Sequence, residues 1–131
     1  MSRVMALDYG SARCGVALSD PSGTLATPMP VVERAGTKKG MARLADVISS
    51  SGAERVVVGL PLTLAGEEGP QAAETREFAE RLGRRVQVPI ELYDERLTTV
   101  QAERAGGSAD ADSRAAAHLL EAFLDSRRTT A

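Results

Sequence analysis

Asp8 and Glu95 each follow an apolar run and stand where that run breaks, the pattern expected of carboxylates set at the tips of strands. One run, Val4-Met5-Ala6-Leu7, ends in Asp8-Tyr9-Gly10, and the other, Val86 to Tyr93, ends in Asp94-Glu95. An uninterrupted apolar run reads as a strand buried on both faces, and ligands bind at the C-terminal edge of parallel strands. Carboxylates gathered there repel one another unless a cation lies between them. Hard oxygen donors favour magnesium or manganese over zinc. Asp112, before a third apolar pattern, is a further candidate ligand, although spacing alone does not bring it to the other two. Arg13 and Arg96 lie close enough in sequence to the acids to hold a neighbouring phosphate. Carboxylates without a cysteine set, and with the one histidine His118, point to metal-assisted chemistry on phosphate. In such chemistry one ion acidifies an attacking water and a second, roughly 4 Å away, steadies the leaving oxygen.

The elements that must position these residues follow from the pattern of the chain. After Gly10, Cys14, Val16 and Leu18 recur at period two, so the segment from Ser11 to Asp20 reads as the return strand of a hairpin. Arg13 then lies near its tip beside Asp8, while Asp20 is carried about 20 to 25 Å away at roughly 3.3 Å per residue. Pro21-Ser22-Gly23 turns the chain into a third strand, Thr24 to Glu33, whose Pro28 and Pro30 suit a sheet edge. Thr37 caps a helix to about Ser51 with Met41, Leu44, Val47 and Ile48 on its inner face, and Gly52 ends it. A second buried strand, Arg55 to Leu60, is broken by Gly59 and Pro61 and opens into a glycine-bearing loop through Gly69. Pro70 starts a helix to about Leu82, and Val86 to Tyr93 is expected as a third parallel strand. Thr98 and Gln101 suit a capping box for a short helix. A last helix is expected from about Asp112 to Ser126, with Ala116, Leu119, Leu120, Phe123 and Leu124 inward. Hairpins followed by two crossovers give a mixed sheet with helices packed on it.

Composition narrows the classes. At 131 residues one domain is expected, large enough to bury a core without staples. With no Trp, two Phe and two Tyr, that core must be aliphatic and rich in Ala, which favours close packing of helix on sheet. The single cysteine, Cys14, excludes an internal disulfide and suits a reducing compartment. No apolar run approaches the roughly 18 residues that suggest a membrane span, and a cytoplasmic, soluble protein is expected. The net charge of -2 does not decide for or against nucleic acid, because local placement of basic residues governs phosphate binding.

The pieces LDYGSARCGVALSD, VVVGLPLTLAGEEGPQAAETREFAERL, YDERLTT and DSRAAAHLLEAFL resemble, in order and across almost the whole chain, the YqgF (RuvX) family of pre-16S rRNA nucleases and Holliday junction resolvase-like proteins. The resemblance implies a single RNase H-like domain over residues 1–131, a five-stranded mixed sheet flanked by helices, related to the RuvC resolvases. It also implies a nuclease of the bacterial cytoplasm, using Mg²⁺ or Mn²⁺, two ions being expected, and acting on precursor 16S rRNA or branched DNA as a monomer or homodimer. The acids of the family's pattern fall on Asp8, Glu95 and Asp112, as catalytic residues and metal ligands, and Arg13, Arg96, Gly59 and Thr63 are expected to meet substrate. Similar members usually carry Asn and Asp where this chain has Thr63 and Ala65, and they often have a longer, basic segment where Ala105 to Ala111 is short and has no basic residue. Fewer phosphate contacts mean a weaker and less salt-sensitive hold on nucleic acid.

Plainer roles compete for several of these residues. Asp8 could serve only as a turn former before Gly10, Asp94 could replace Glu95, and Asp112 could be a helix cap. Arg13 could bridge to the acids or clamp a phosphate. Cys14, Tyr9, Tyr93 and His118 are expected to be packing or surface residues. Two other functions stay open: a ribosome-assembly binding protein with the fold but little catalysis, and a phosphate-binding domain of the sugar-kinase and actin type. The latter needs two such domains.

Overall fold

The computed structural model describes residues 2–97 and 109–129. Three strands, β1 (Arg3–Asp8), β2 (Arg13–Ser19) and β3 (Ala26–Glu33), are followed by α1 (Lys38–Ser51), β4 (Ala53–Leu60), α2 (Pro70–Gly83), β5 (Ile90–Asp94), a 3₁₀ turn (Glu95–Leu97) and α3 (Ala109–Thr129). The five strands form one sheet in the order β3-β2-β1-β4-β5. β2 runs antiparallel to β1 and β3, whereas β4 is parallel to both β1 and β5. The C-terminal ends of β1, β4 and β5 therefore share one edge of the sheet. Pro28 and Pro30 lie in β3, an edge strand, where a missing N–H is tolerated.

Strand alternation divides the core in two. Met5 and Leu7 of β1, Cys14, Val16 and Leu18 of β2, and Val56 and Val58 of β4 pack with Met41, Leu44 and Ile48 of α1 and Phe78 and Leu82 of α2. Val4, Ala6, Ala17 and Val57 point the other way and pack with Ala116, Leu119, Leu120, Phe123 and Leu124 of α3. The small residues on this second face let α3 lie close to the sheet, as the alanine-rich composition predicts.

Several element boundaries depart from the sequence reading, β4 beginning at Ala53 and not Arg55 among them, and three have a clear physical reason or bear on the site. β3 begins at Ala26 rather than Thr24, because the backbone N–H groups of Thr24 and Leu25 are taken by Asp20 Oδ1 at 2.8 and 2.9 Å. β5 begins at Ile90, not Val86: Val86 and Val88 are apolar because they pack on the core, and Pro89 has no N–H to give to a ladder. α3 begins at Ala109, so Asp112 lies inside its first turn and is not its cap. The capping box at Thr98 falls outside the described residues. Thr37 does cap α1, its hydroxyl accepting from the Gly40 N–H at 3.1 Å, and Gly52 ends the helix at φ 80°.

Candidate active site

Asp8 follows Val4 and Ala6 on the face of β1 that α3 covers, and it is 7% exposed. Its partner across the β1–β2 pair is Gly15, and one step beyond the Leu7–Val58 pair of the β1–β4 ladder comes Gly59. Both neighbours of Asp8 along that row of the sheet are thus glycines. Each has a reason. A Cβ on Gly15 would lie 2.1 Å from the carbonyl oxygen of Asp112, so the absent side chain is what lets the first turn of α3 rest on the sheet beside Asp8. A Cβ on Gly59 would lie 3.1 Å from Leu119 Cδ2 and 3.4 Å from Glu95 Oε1. Ser113 fixes the same turn of α3 by donating its hydroxyl to the Met29 carbonyl at 2.6 Å.

Glu95 is positioned by β5, which packing and charge hold in place. The Tyr93 ring meets Phe123 edge-on at 5.6 Å, and Glu91 is bound by Arg55 and Arg127, each at 2.7 Å. The next residue from Tyr93, Asp94, is turned away: it takes a forked contact from Arg96, which holds its carboxyl below the usual range. Arg96 also reaches the Leu64 carbonyl. Glu95 rather than Asp94 consequently faces the cavity.

That cavity, about 540 Å³, is lined by Asp8, Glu95 and Asp112 together with Gly59, Tyr9 and Ser11 and with Gln71, Glu74 and Thr75 of α2. Arg13 reaches its rim through Asp112, donating Nε to Oδ2 at 2.8 Å, a pair linking residues 99 positions apart. Arg96 and Thr63 do not line it: Thr63 instead ties its own loop, its N–H donating to the Glu67 carbonyl and its hydroxyl accepting from the Glu67 N–H. Tyr9 stacks on Phe78 with centroids 4.2 Å apart, a packing role, and burial with the nearby Glu74 pushes its phenol pKa up. His118 pairs with Glu121 on the surface of α3. Gln71 and Glu74 were not singled out from sequence; their spacing of three on a helix opening at Pro70 is the signal that placed them on one face.

The donor set suits a hard divalent cation, being carboxylates without thiolate or imidazole. Among the described residues, however, no three His, Cys, Asp or Glu side chains are drawn close enough to hold one ion together. The acids share a cavity without converging on a point, and the carboxylate of Asp112 is committed to Arg13.

Comparison with known proteins agrees with this architecture. A RuvC from T. thermophilus, solved in complex with a Holliday junction substrate, matches with a TM-score of 0.65 at 19% identity, covering 100% of this chain and 98% of that one. That likeness is one of fold, and the fold is RNase H-like. A protein of Desulforudis audaxviator named "Putative pre-16S rRNA nuclease" is 41% identical over 97% of this chain and 96% of its own length. One of the same name from a Nocardioides species is 48% identical over 95% of this chain and 88% of its own. The profile of the RuvX family, described as "Holliday junction resolvase", matches residues 2–126. With that span of matching sequence, and relatives of this identity along nearly their whole length, the chain belongs to the RuvX family.

Proposed function

We propose that the protein is a divalent-metal-dependent nuclease, a single RNase H-like domain that hydrolyses phosphodiester bonds in precursor 16S rRNA in the cytoplasm. The observation that carries this reading is the placement of Asp8, Glu95 and Asp112, drawn from β1, the 3₁₀ turn that follows β5, and α3, around one cavity at the C-terminal edge of the parallel strands. These residues would hold the cation, Mg²⁺ or Mn²⁺. Bound there, it supplies Lewis acidity: it lowers the pKa of water and offsets charge gathering on phosphate oxygens. The chain's own part is to fix the donors. Burial of Asp8 under α3 keeps its carboxylate away from bulk solvent, and β5 carries Glu95 to the same cavity. The first turns of α2 border the same cavity, which puts the electropositive end of that helix near a bound phosphate.

The family description favours a second reading, resolution of branched DNA by the same chemistry. Symmetric cutting of two strands calls for a dimer with paired sites. End-labelled precursor 16S rRNA fragments and a four-way DNA junction, each with and without Mn²⁺ or Mg²⁺, separate the two. Metal-dependent cleavage of the rRNA, reduced at least about 100-fold in Asp8→Asn, is expected, because loss of a ligand should exceed the loss seen when a ligand's supporting partner is removed. Preferential cutting of the junction would turn the assignment to DNA. Binding of either substrate without cleavage under any metal would leave an assembly factor, not a nuclease.

A further inference from the structure

Arg13 donates to Asp112, one of the acids that line the cavity. The pair is neither sealed nor fully solvated, its side chains being 30% and 21% exposed, so it can open without stranding a buried charge. Arg13 starts β2 immediately after the turn from Gly10, where a Cβ on Gly10 would come within 2.8 Å of the Arg13 carbonyl; the backbone that carries the guanidinium is tightly set. Asp112 is equally set, by Gly15 beneath it and by the Ser113–Met29 hydrogen bond beside it. What is left to move is the pair of side chains.

We propose that Arg13 is a positioning residue that competes with the divalent cation for Asp112: it holds the Asp112 carboxylate while no cation is bound, and once the cation takes that carboxylate its guanidinium is left at the rim of the cavity to hold a phosphate of the substrate. This rests on the metal-dependent nuclease reading and adds an exchange to it. One carboxylate serves two cationic partners in turn, and a guanidinium released beside the acids is a strong, geometrically matched donor for a phosphodiester. Charge at the site is kept near balance throughout, since a cation arrives as the guanidinium turns to an anionic substrate.

The exchange makes two quantities move in opposite directions when Arg13 is neutralised. In Arg13→Gln, Mn²⁺ binding followed by titration calorimetry should tighten, about fivefold. Binding of nucleic acid should weaken, and the slope of its affinity against salt should fall by about 0.7 for a single strand or about 0.9 for a duplex, one phosphate contact. A double-mutant cycle separates competition at Asp112 from a general change in site charge: in an Asp112→Asn background, Arg13→Gln should leave Mn²⁺ affinity unchanged. Arg13→Met keeps the aliphatic stem and carries the same expectations if Arg13→Gln folds poorly. Unchanged or weaker Mn²⁺ binding in the Arg13 variants would overturn the exchange and make Arg13 a support for Asp112. An equal gain with and without Asp112 would overturn it too. Absence of Mn²⁺ binding by the wild type and every variant would instead remove the metal-dependent nuclease reading, and the exchange with it.

Discussion

The two faces of the sheet are built from different stock. Toward α1 and α2 it presents Met5, Leu7, Val16, Val56 and Val58, which meet Met41, Leu44, Phe78 and Leu82 in a bulky apolar layer. Toward α3 it presents Ala6, Ala17, Gly15 and Gly59 around Asp8. The difference shows how one thin sheet can carry a bulky core on one face and the candidate site on the other. Large side chains on one face build a bulky apolar core with two helices. Small ones on the other bring a helix close enough for its acid to join an acid of the sheet.

Substitutions on each face should therefore fail in different ways. The largest expected effect is on the bulky face: Phe78→Ala should cost about 3 to 5 kcal/mol in denaturant unfolding, because Phe78 is almost wholly buried and supports Tyr9. On the α3 face, Gly15→Ala should cost about 3 kcal/mol, the upper part of the range for overpacking, since the added methyl meets backbone that cannot rotate aside. Gly15→Ala should also move Asp112 and reduce cleavage in the protein that remains folded. If it retained full stability, the close approach of α3 would be wrong. Gly59→Ala is milder, about 1 kcal/mol, because Leu119 can give way, but it crowds Glu95 and should slow cleavage roughly tenfold.

The smallest effect belongs to the far end of the hairpin. Asp20 is a carboxylate like Asp8 but is engaged by its own turn: Ser22 and the N–H groups of Leu25 and Thr24 donate to it, lowering its pKa from 3.8 to about 2. A carboxyl whose folded value is depressed contributes its stability above the unfolded value, and loses it as pH falls toward the folded one. Asp20→Ala should thus lower Tm slightly at pH 7, with the gap to wild type closing between about pH 4 and pH 2. Cleavage at neutral pH should be unaffected.

The same contrast explains what could be read from sequence. Asp8 was legible as a strand-tip carboxylate because strand tips are marked by local pattern, an apolar run and then a break; the same pattern marked Asp94-Glu95 as a pair, and the choice of Glu95 came from resemblance to a family. Pro28 and Pro30 placed β3 at an edge for an equally local reason, the missing N–H. Asp112 was legible only through resemblance to a family. What carries it to Asp8 is the close approach of α3 at Gly15, and a glycine in a strand does not announce which distant helix it admits. Nor could spacing reveal that Arg13 would be engaged with Asp112, or that Arg96 would turn to Asp94 rather than toward the cavity. Val86 and Val88 misled because residues that pack beneath a helix and residues that pair in a sheet are selected for the same apolarity.

Cys14, the single cysteine, lies fully buried in the bulky layer, and burial raises its thiol pKa while Asp8 and Asp112 add to the rise. A thiol so placed is nearly unreactive toward alkylating reagents until the layer around it opens. Its labelling rate is then a clock for the opening of one face of the sheet, readable by mass with no engineered probe. Because the clock sits on the face opposite α3, it reports whether a ligand held by the acids of one face steadies the other.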